Sequence, residues 1–232
     1  MQKIIDAIEK MNLEINNNQA EKFLLYMNLL CDWNKKINLT SITDENEIII
    51  KHFADSVSLL SVMQLKNSNV IDIGSGAGFP GIPLKILRPQ INLTLVDSLG
   101  KRVKFLCTVK NDLNLENVNC FHARAEEFVK NSREAYDICV SRAVANLSVL
   151  TEICLPFVKV GGFFIAYKGP QVDDEILHAQ NCIKKLGGEI TDIKKICLPF
   201  SDIIHSLIFV RKLSNSPLKY PRNYAKILKT PL

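Results

Sequence analysis

The chain predicts an α/β fold: a mostly parallel sheet flanked by helices and preceded by a helical extension. Three observations carry this. Short apolar runs at residues 70–73, 93–96, 118–121, 136–140 and 162–167 alternate with longer helical stretches, the sign of βαβ units. The first run passes directly into a glycine-rich loop, Gly74-Ser-Gly-Ala-Gly-Phe-Pro-Gly81. The second ends on an acid, Asp97, nineteen residues past Gly78.

The elements follow in order. Residues 1–65 read as helices, because Phe23, Tyr26, Met27, Leu30 and Trp33 recur at three- and four-residue steps, as on a helix with one buried face. A second helix is expected over about 45–63. Lys66-Asn-Ser-Asn69 is polar and turn-like and marks a boundary. Residues 66–213 then hold the sheet. Two late runs, near 189–197 and 203–210, are linked only by Leu198-Pro-Phe-Ser-Asp202, which predicts an antiparallel hairpin closing it. The last segment, 214–232, is rich in proline and polar residues and is expected to be irregular.

Composition narrows the class. A chain of 232 residues suits one domain or one with a small addition, and 47% hydrophobic residues are ample for a core. The mean hydropathy of +0.07 and the short runs argue against a membrane span of about 20 residues. Met1 to Lys10 is charged and amphipathic and has no apolar signal core, so a cytoplasmic location is expected. The seven cysteines, at 31, 107, 120, 139, 154, 182 and 197, form no C-x-x-C pair. They read as small apolar residues in a reducing compartment. The four histidines show no metal-ligand spacing, and no metal is expected.

Net charge is +5, unevenly placed. Residues 1–65 carry six Lys/Arg and nine Asp/Glu, while residues 203–232 carry six Lys/Arg and no acid. A basic tail on a near-neutral body fits nucleic acid as well as it fits a solvated surface.

The glycine loop is the most informative segment. Without Cβ atoms its backbone N–H groups can approach a ligand closely, and it sits at a strand's carboxyl end, where open α/β sheets bind ligands. A carboxylate at Asp97 can accept hydrogen bonds from a ribose diol, although a helix N-cap is the alternative there. Together they point to a nucleoside cofactor. Gly76-Ala-Gly78-Phe-Pro-Gly81 also matches the dinucleotide pattern G-x-G-x-x-G. Pro80 and Pro83 weigh against that reading, since proline has no N–H to give a pyrophosphate. Asp72, two residues before Gly74, completes Asp-x-Gly-x-Gly-x-Gly. That pattern resembles S-adenosylmethionine-dependent methyltransferases of the Rossmann-like class, whose cofactor has no phosphate to hold.

The likeness sharpens along the chain. Asp72 to Leu84, Leu95-Val-Asp-Ser-Leu-Gly-Lys-Arg102 with Phe105-Leu106, Arg124-Ala-Glu-Glu-Phe128, Ser141-Arg-Ala143 and Lys168-Gly169 all resemble one family. So do Trp33-Asn-Lys-Lys-Ile-Asn-Leu-Thr40, His52-Phe-Ala-Asp-Ser56 and Tyr220-Pro-Arg222. It is the ribosomal RNA small subunit methyltransferase G family, also called glucose-inhibited division protein B. The resemblance implies a class I methyltransferase with a seven-stranded sheet and an N-terminal helical extension. It implies methyl transfer from S-adenosyl-L-methionine to N7 of a guanosine in 16S ribosomal RNA, by a monomer.

The implied cofactor residues are Gly74, Gly76, Gly78, Phe79, Asp97, Ser98, Ala125, Glu126 and Arg142. Arg142 would hold the cofactor's carboxylate, or an RNA phosphate, bidentately. Lys101, Arg102, Lys168, Lys219 and Arg222 are the candidate RNA contacts, and Tyr220 and Tyr224 could stack on bases. His52, with Asp55, would support the site from the helical front. No general base is assigned, because guanine N7 already carries a free in-plane lone pair. Deleting residues 214–232 should then remove RNA affinity and keep cofactor binding.

Overall fold

The computed structural model describes residues 1–142 and 145–232. Two N-terminal helices come first, α1 (Gln2–Glu9) and α2 (Asn17–Ile37). Asn16 caps α2 reciprocally: its side chain accepts from Gln19 N at 2.9 Å, and its own N–H donates to the Gln19 side chain at 3.0 Å. The buried face of α2 is Ala20, Phe23, Tyr26, Met27 and Leu30. Trp33 is only partly buried, against Phe105 at 5.6 Å between ring centroids.

The helix expected over about 45–63 is not one regular rod. It runs as α3 (Glu45–Ile48), a π-helical segment Ile49–Ala54, α4 (Asp55–Val57) and a 3-10 turn Ser58–Ser61. π-helical turns are rare and frequent at functional sites. Here the segment carries His52, and Asp55 follows directly.

The seven strands are β1 (Asn69–Ile73), β2 (Asn92–Asp97), β3 (Val118–His122), β4 (Tyr136–Ser141), β5 (Val158–Lys168), β6 (Gly188–Cys197) and β7 (Ile204–Lys212). They form one sheet in the order β3-β2-β1-β4-β5-β7-β6. β1, β2, β3, β4 and β5 pair in parallel, and β7 runs antiparallel to both β5 and β6. Val70, Ile71, Asp72 and Ile73 of β1 are all buried, as expected of a strand covered on both faces. β3 and β6 are the two edges, and on β6 Lys194 and Lys195 discourage pairing with another chain.

Helices cover both faces: α5 (Gly81–Leu87), α6 (Gly100–Asp112), α7 (Ala125–Phe128), α8 (Leu147–Cys154) and α9 (Asp173–Lys185), with α10 (Tyr224–Lys229) near the end. The N-terminal helices do not stand apart. Ile4, Phe23 and Phe53 belong to the same buried cluster as Leu95, Ile165 and Leu207.

The last segment also departs from expectation. It is anchored rather than loose, because Glu152 of α8, fully buried, accepts from Arg222 N, Nε and Nη2 at 2.9, 2.8 and 2.6 Å. A buried carboxylate needs such a partner, and the tail supplies it.

Strand order reverses between β1 and β4, since β1 connects onward to β2 on one side and pairs with β4 on the other. The loops after these two strands therefore flank the crevice where doubly wound sheets place ligands.

Candidate active site

A cavity of about 520 Å3 opens at this crevice. Its wall includes Gly74, Asp97, Ser98, Ala125 and Glu126, together with Arg102, Ser141 and Tyr224. The volume lies within the roughly 300–1,000 Å3 usual for small-molecule sites.

Gly74 has φ +71°, a left-handed conformation that an L side chain rarely adopts, and a Cβ built there would meet nothing within 4 Å. The space beside this backbone is open to a ligand. Asp97 is 3% exposed. Its Oδ2 accepts from Gly76 N and its Oδ1 from Leu99 N, each at 2.9 Å. A carboxylate offers about four lone-pair sites, so these two bonds orient Asp97 and leave capacity for a diol. Glu126 Oε1 accepts from Tyr224 N at 3.3 Å. An adenosine-bearing ligand fits this donor and acceptor set.

Several sequence expectations shift. Gly76 does not line the cavity but steers Asp97 through the bond above. Gly78 serves packing: at φ +97° a Cβ would stand 2.4 Å from Ile82 Cδ1 and 2.7 Å from the Tyr26 hydroxyl. That hydroxyl donates to Ala77 O, so α2 clamps the loop from behind. Phe79 is 5% exposed and stacks on His52 at 4.6 Å, which removes it from the cavity wall.

Arg102 was expected on RNA, yet it lines this cavity with Nη1 3.7 Å from Asp97 Oδ2. Arg222 is tied to Glu152 and is no free phosphate contact. Tyr224, expected to stack on RNA bases, forms cavity wall instead. Lys101 and Lys219 remain exposed. Ala143, part of the Ser141-Arg-Ala143 element, lies outside the described residues.

Arg142 faces elsewhere. It lines a second, smaller cavity of about 310 Å3 with Asp55, Lys168, Glu175 and His205. Its Nη1 donates to Lys51 O at 2.9 Å and Asp55 Oδ2 at 2.8 Å, and its Nη2 donates to His52 Nδ1 at 3.2 Å. The guanidinium carbon sits 4.9 Å from the centre of the Phe79 ring. The guanidinium expected to face a cofactor carboxylate is held in an internal network. His52 Nε2 meets Thr40 Oγ1 at 2.8 Å, and His205 Nδ1 meets Asp55 Oδ1 at 2.6 Å.

Burial, aided by the Arg142 charge, pushes His52 down to about 4, so it is neutral at pH 7. Burial pushes the Asp55 carboxyl up, but the His205 hydrogen bond and the Arg142 charge outweigh it and hold the carboxyl below its ordinary value. Asp72 has the opposite balance. Burial pushes it up to about 7 against the Gly81 hydrogen bond. Its Oδ2 accepts from Gly81 N at 2.9 Å, which ties the strand to the start of α5.

Lys168 also departs from an exposed RNA contact. Its side chain is 6% exposed, and its ammonium donates to Ala145 O at 2.6 Å and pairs with Glu175 Oε2 at 2.7 Å. Sequence reasoning missed Glu175 and His205. Neither sits in a motif, and each reaches the site only because α9 and β7 pack beside the end of β5.

Comparison with known proteins agrees with this architecture. A family model described as rRNA small subunit methyltransferase G matches residues 19–201. The protein named Ribosomal RNA small subunit methyltransferase G from Alkaliphilus metalliredigens is 50% identical over 230 residues, covering 98% of this chain and 96% of that protein. Its namesake from Clostridium beijerinckii is 50% identical over 229 residues, covering 97% and 96%. Among solved structures, a SAM-dependent methyltransferase from Aquifex aeolicus is similar in fold, with a TM-score of 0.54 at 14% identity over 79% of this chain and 98% of that one. With the family model matched over residues 19–201 and relatives 50% identical over nearly their full length, the chain belongs to the rRNA small subunit methyltransferase G family.

Proposed function

We propose that this protein transfers a methyl group from S-adenosyl-L-methionine to N7 of a guanosine in 16S ribosomal RNA, acting as a cytoplasmic monomer on the RNA or the small ribosomal subunit. The observation that carries it is the Gly74–Asp97 cavity at the switch point, in a chain of this family. Among the described residues, no helix is long and apolar enough to cross a membrane.

The cofactor supplies an electrophilic methyl carbon on a cationic sulfur. Asp97 holds the ribose diol, fixed for that task by Gly76 N and Leu99 N. Ser98, Ala125 and Glu126 face the adenosine end, and Tyr224 closes the wall. Gly74 lets the backbone approach the ligand closely. The residues at 1–65 support the rim through His52 and Asp55, those at 66–213 bind the cofactor, and those at 214–232 buttress the cavity. Lys101 and Lys219 contact phosphates.

N7 of guanine has a free lone pair in the ring plane. No residue must remove a proton before attack, and the departing thioether is neutral. The chain's contribution is orientation, which can supply about 7–11 kcal/mol of a barrier.

The test is methyl transfer from labelled S-adenosylmethionine to small-subunit particles from cells lacking this protein, with the product nucleoside identified. Label in 7-methylguanosine supports the proposal. Unlabelled particles, with cofactor binding intact by calorimetry, would remove the substrate while keeping the pocket.

A further inference from the structure

We propose that the smaller cavity seats the target base and that Lys168 and Glu175 identify it as guanine. This rests on the function proposed above and assigns the residues that choose the base.

The two cavities adjoin. Ser141 lines the larger and Arg142, the next residue, lines the smaller. Ala145 lines the larger, and its carbonyl accepts from Lys168, which lines the smaller. A base in the second cavity would therefore lie beside the cofactor, once flipped out of its RNA.

The second cavity carries chemistry that the first does not use. Lys168 donates to Ala145 O at 2.6 Å and is ion-paired with Glu175 Oε2 at 2.7 Å. Glu175 Oε2 also accepts from Leu147 N at 3.0 Å, which caps α8. That cap is a structural role, but it involves one oxygen only. Among the described residues, Oε1 of Glu175 has no hydrogen-bond partner, and the three-donor ammonium of Lys168 makes one hydrogen bond beside its ion pair. An ammonium donor thus stands next to a carboxylate acceptor on the wall of a cavity.

Guanine presents the complement. Around its edge run N7, the O6 acceptor, then the N1–H and N2–H2 donors. Lys168 matches O6, and Glu175 matches N1–H and N2–H2. Adenine reverses the pattern, with a donor at N6 and an acceptor at N1, so it would set donor against donor and acceptor against acceptor.

The order fixes direction as well. Lys168 lies between Ala145, a wall of the larger cavity, and Glu175. With O6 on Lys168 and N1 on Glu175, N7 falls on the Ala145 side, toward the cofactor. Asp55 braces the remaining wall by holding Arg142 and His205.

The experiment uses small-subunit RNA joined from synthetic pieces, with guanosine, inosine or adenosine at the nucleotide found methylated, assembled into particles. Inosine keeps O6 and N1–H but lacks the 2-amino group. The wild type should prefer guanosine over inosine by about tenfold or more in kcat/KM, and should leave adenosine unmethylated. Glu175→Gln should lose about tenfold or more on guanosine, and its guanosine-to-inosine ratio should fall to within about threefold of one, with S-adenosylhomocysteine binding unchanged. A structural role alone would lower both substrates equally and leave the ratio intact. Equal wild-type rates on guanosine and inosine would overturn the assignment whatever the variant does. An unchanged ratio in Glu175→Gln would overturn it too. No transfer to the guanosine RNA would remove the proposed function and this assignment together, whereas normal transfer without an inosine penalty removes this assignment alone.

Discussion

Asp55→Asn is the sharpest perturbation of the polar network. The carboxylate is 1% exposed and lies 2.8 Å from Arg142 and 2.6 Å from His205. Removing one member of a buried pair costs about 3–5 kcal/mol, because the partner charge stays behind. Arg142 is 19% and His205 29% exposed, so water recovers part of that loss, and about 2–4 kcal/mol is expected. The asparagine keeps the shape and one acceptor, so lost charge dominates over lost packing. Urea unfolding at pH 7 measures it as a fall in midpoint at constant slope. The pH dependence gives a second check. The Asp55 carboxyl is held below its unfolded value of 3.8, so its stabilisation is complete above that value. It is lost as pH falls through the folded value. The gap between wild type and variant should therefore close in strong acid. A loss under about 0.5 kcal/mol at pH 7 would refute the account.

Four other outcomes are expected. Asp97→Ala should weaken S-adenosylhomocysteine binding by about 1.5–3 kcal/mol, the range of a hydrogen bond to a charged group, as read by calorimetry. His52 should stay neutral until pH approaches about 4, with its proton on Nε2 because Arg142 donates to Nδ1; ring nitrogen shifts by NMR report both, and a titration near 6.5 would contradict the burial argument. Since the His52 value is lowered from 6.5, its share of stability is present above that pH and is lost on acidification toward 4. Lys101→Ala and Lys219→Ala should each weaken RNA binding across sequences and reduce the salt slope by about one, without changing cofactor affinity.

Much of this fold could be read from the chain because its signals are local. The run Val70–Ile73 is apolar at three of its four positions whatever lies beside it, and the glycines that follow require a turn wherever the strand goes. Asp97 was legible for the same reason, since it ends a strand at a fixed distance from the loop. What could not be read was pairing across the sheet. Arg142 looks like a cofactor ligand in one dimension, because nothing in the sequence says that Asp55, 87 residues earlier, will meet it. Phe79 likewise follows the glycines yet turns inward, drawn to His52 and Tyr26. The front helices thus hold both side chains off the wall of the larger cavity, and Arg142 lines the smaller one.

The tail shows the same limit most clearly, and it reverses an expected outcome. Six cations and no acid over residues 203–232 suggest a free arm for RNA. The structure sets two of its residues against the body: Arg222 neutralises buried Glu152, and Tyr224 closes the cofactor cavity. Deleting residues 214–232 would strip the partner from a fully buried carboxylate and open one wall of the cavity. The loss of a buried partner costs about 3–5 kcal/mol, a large share of the roughly 5–15 kcal/mol that holds a domain together. Truncation should therefore abolish S-adenosylhomocysteine binding and lower the unfolding midpoint, whereas loss of RNA affinity alone would fit a free arm. In the full chain, Arg222→Met alone should leave the Glu152 charge buried and lower the unfolding midpoint, and adding Glu152→Leu should recover most of that loss, because a matched apolar pair leaves no charge buried alone. If the truncated protein binds the cofactor normally, the tail is not part of the site.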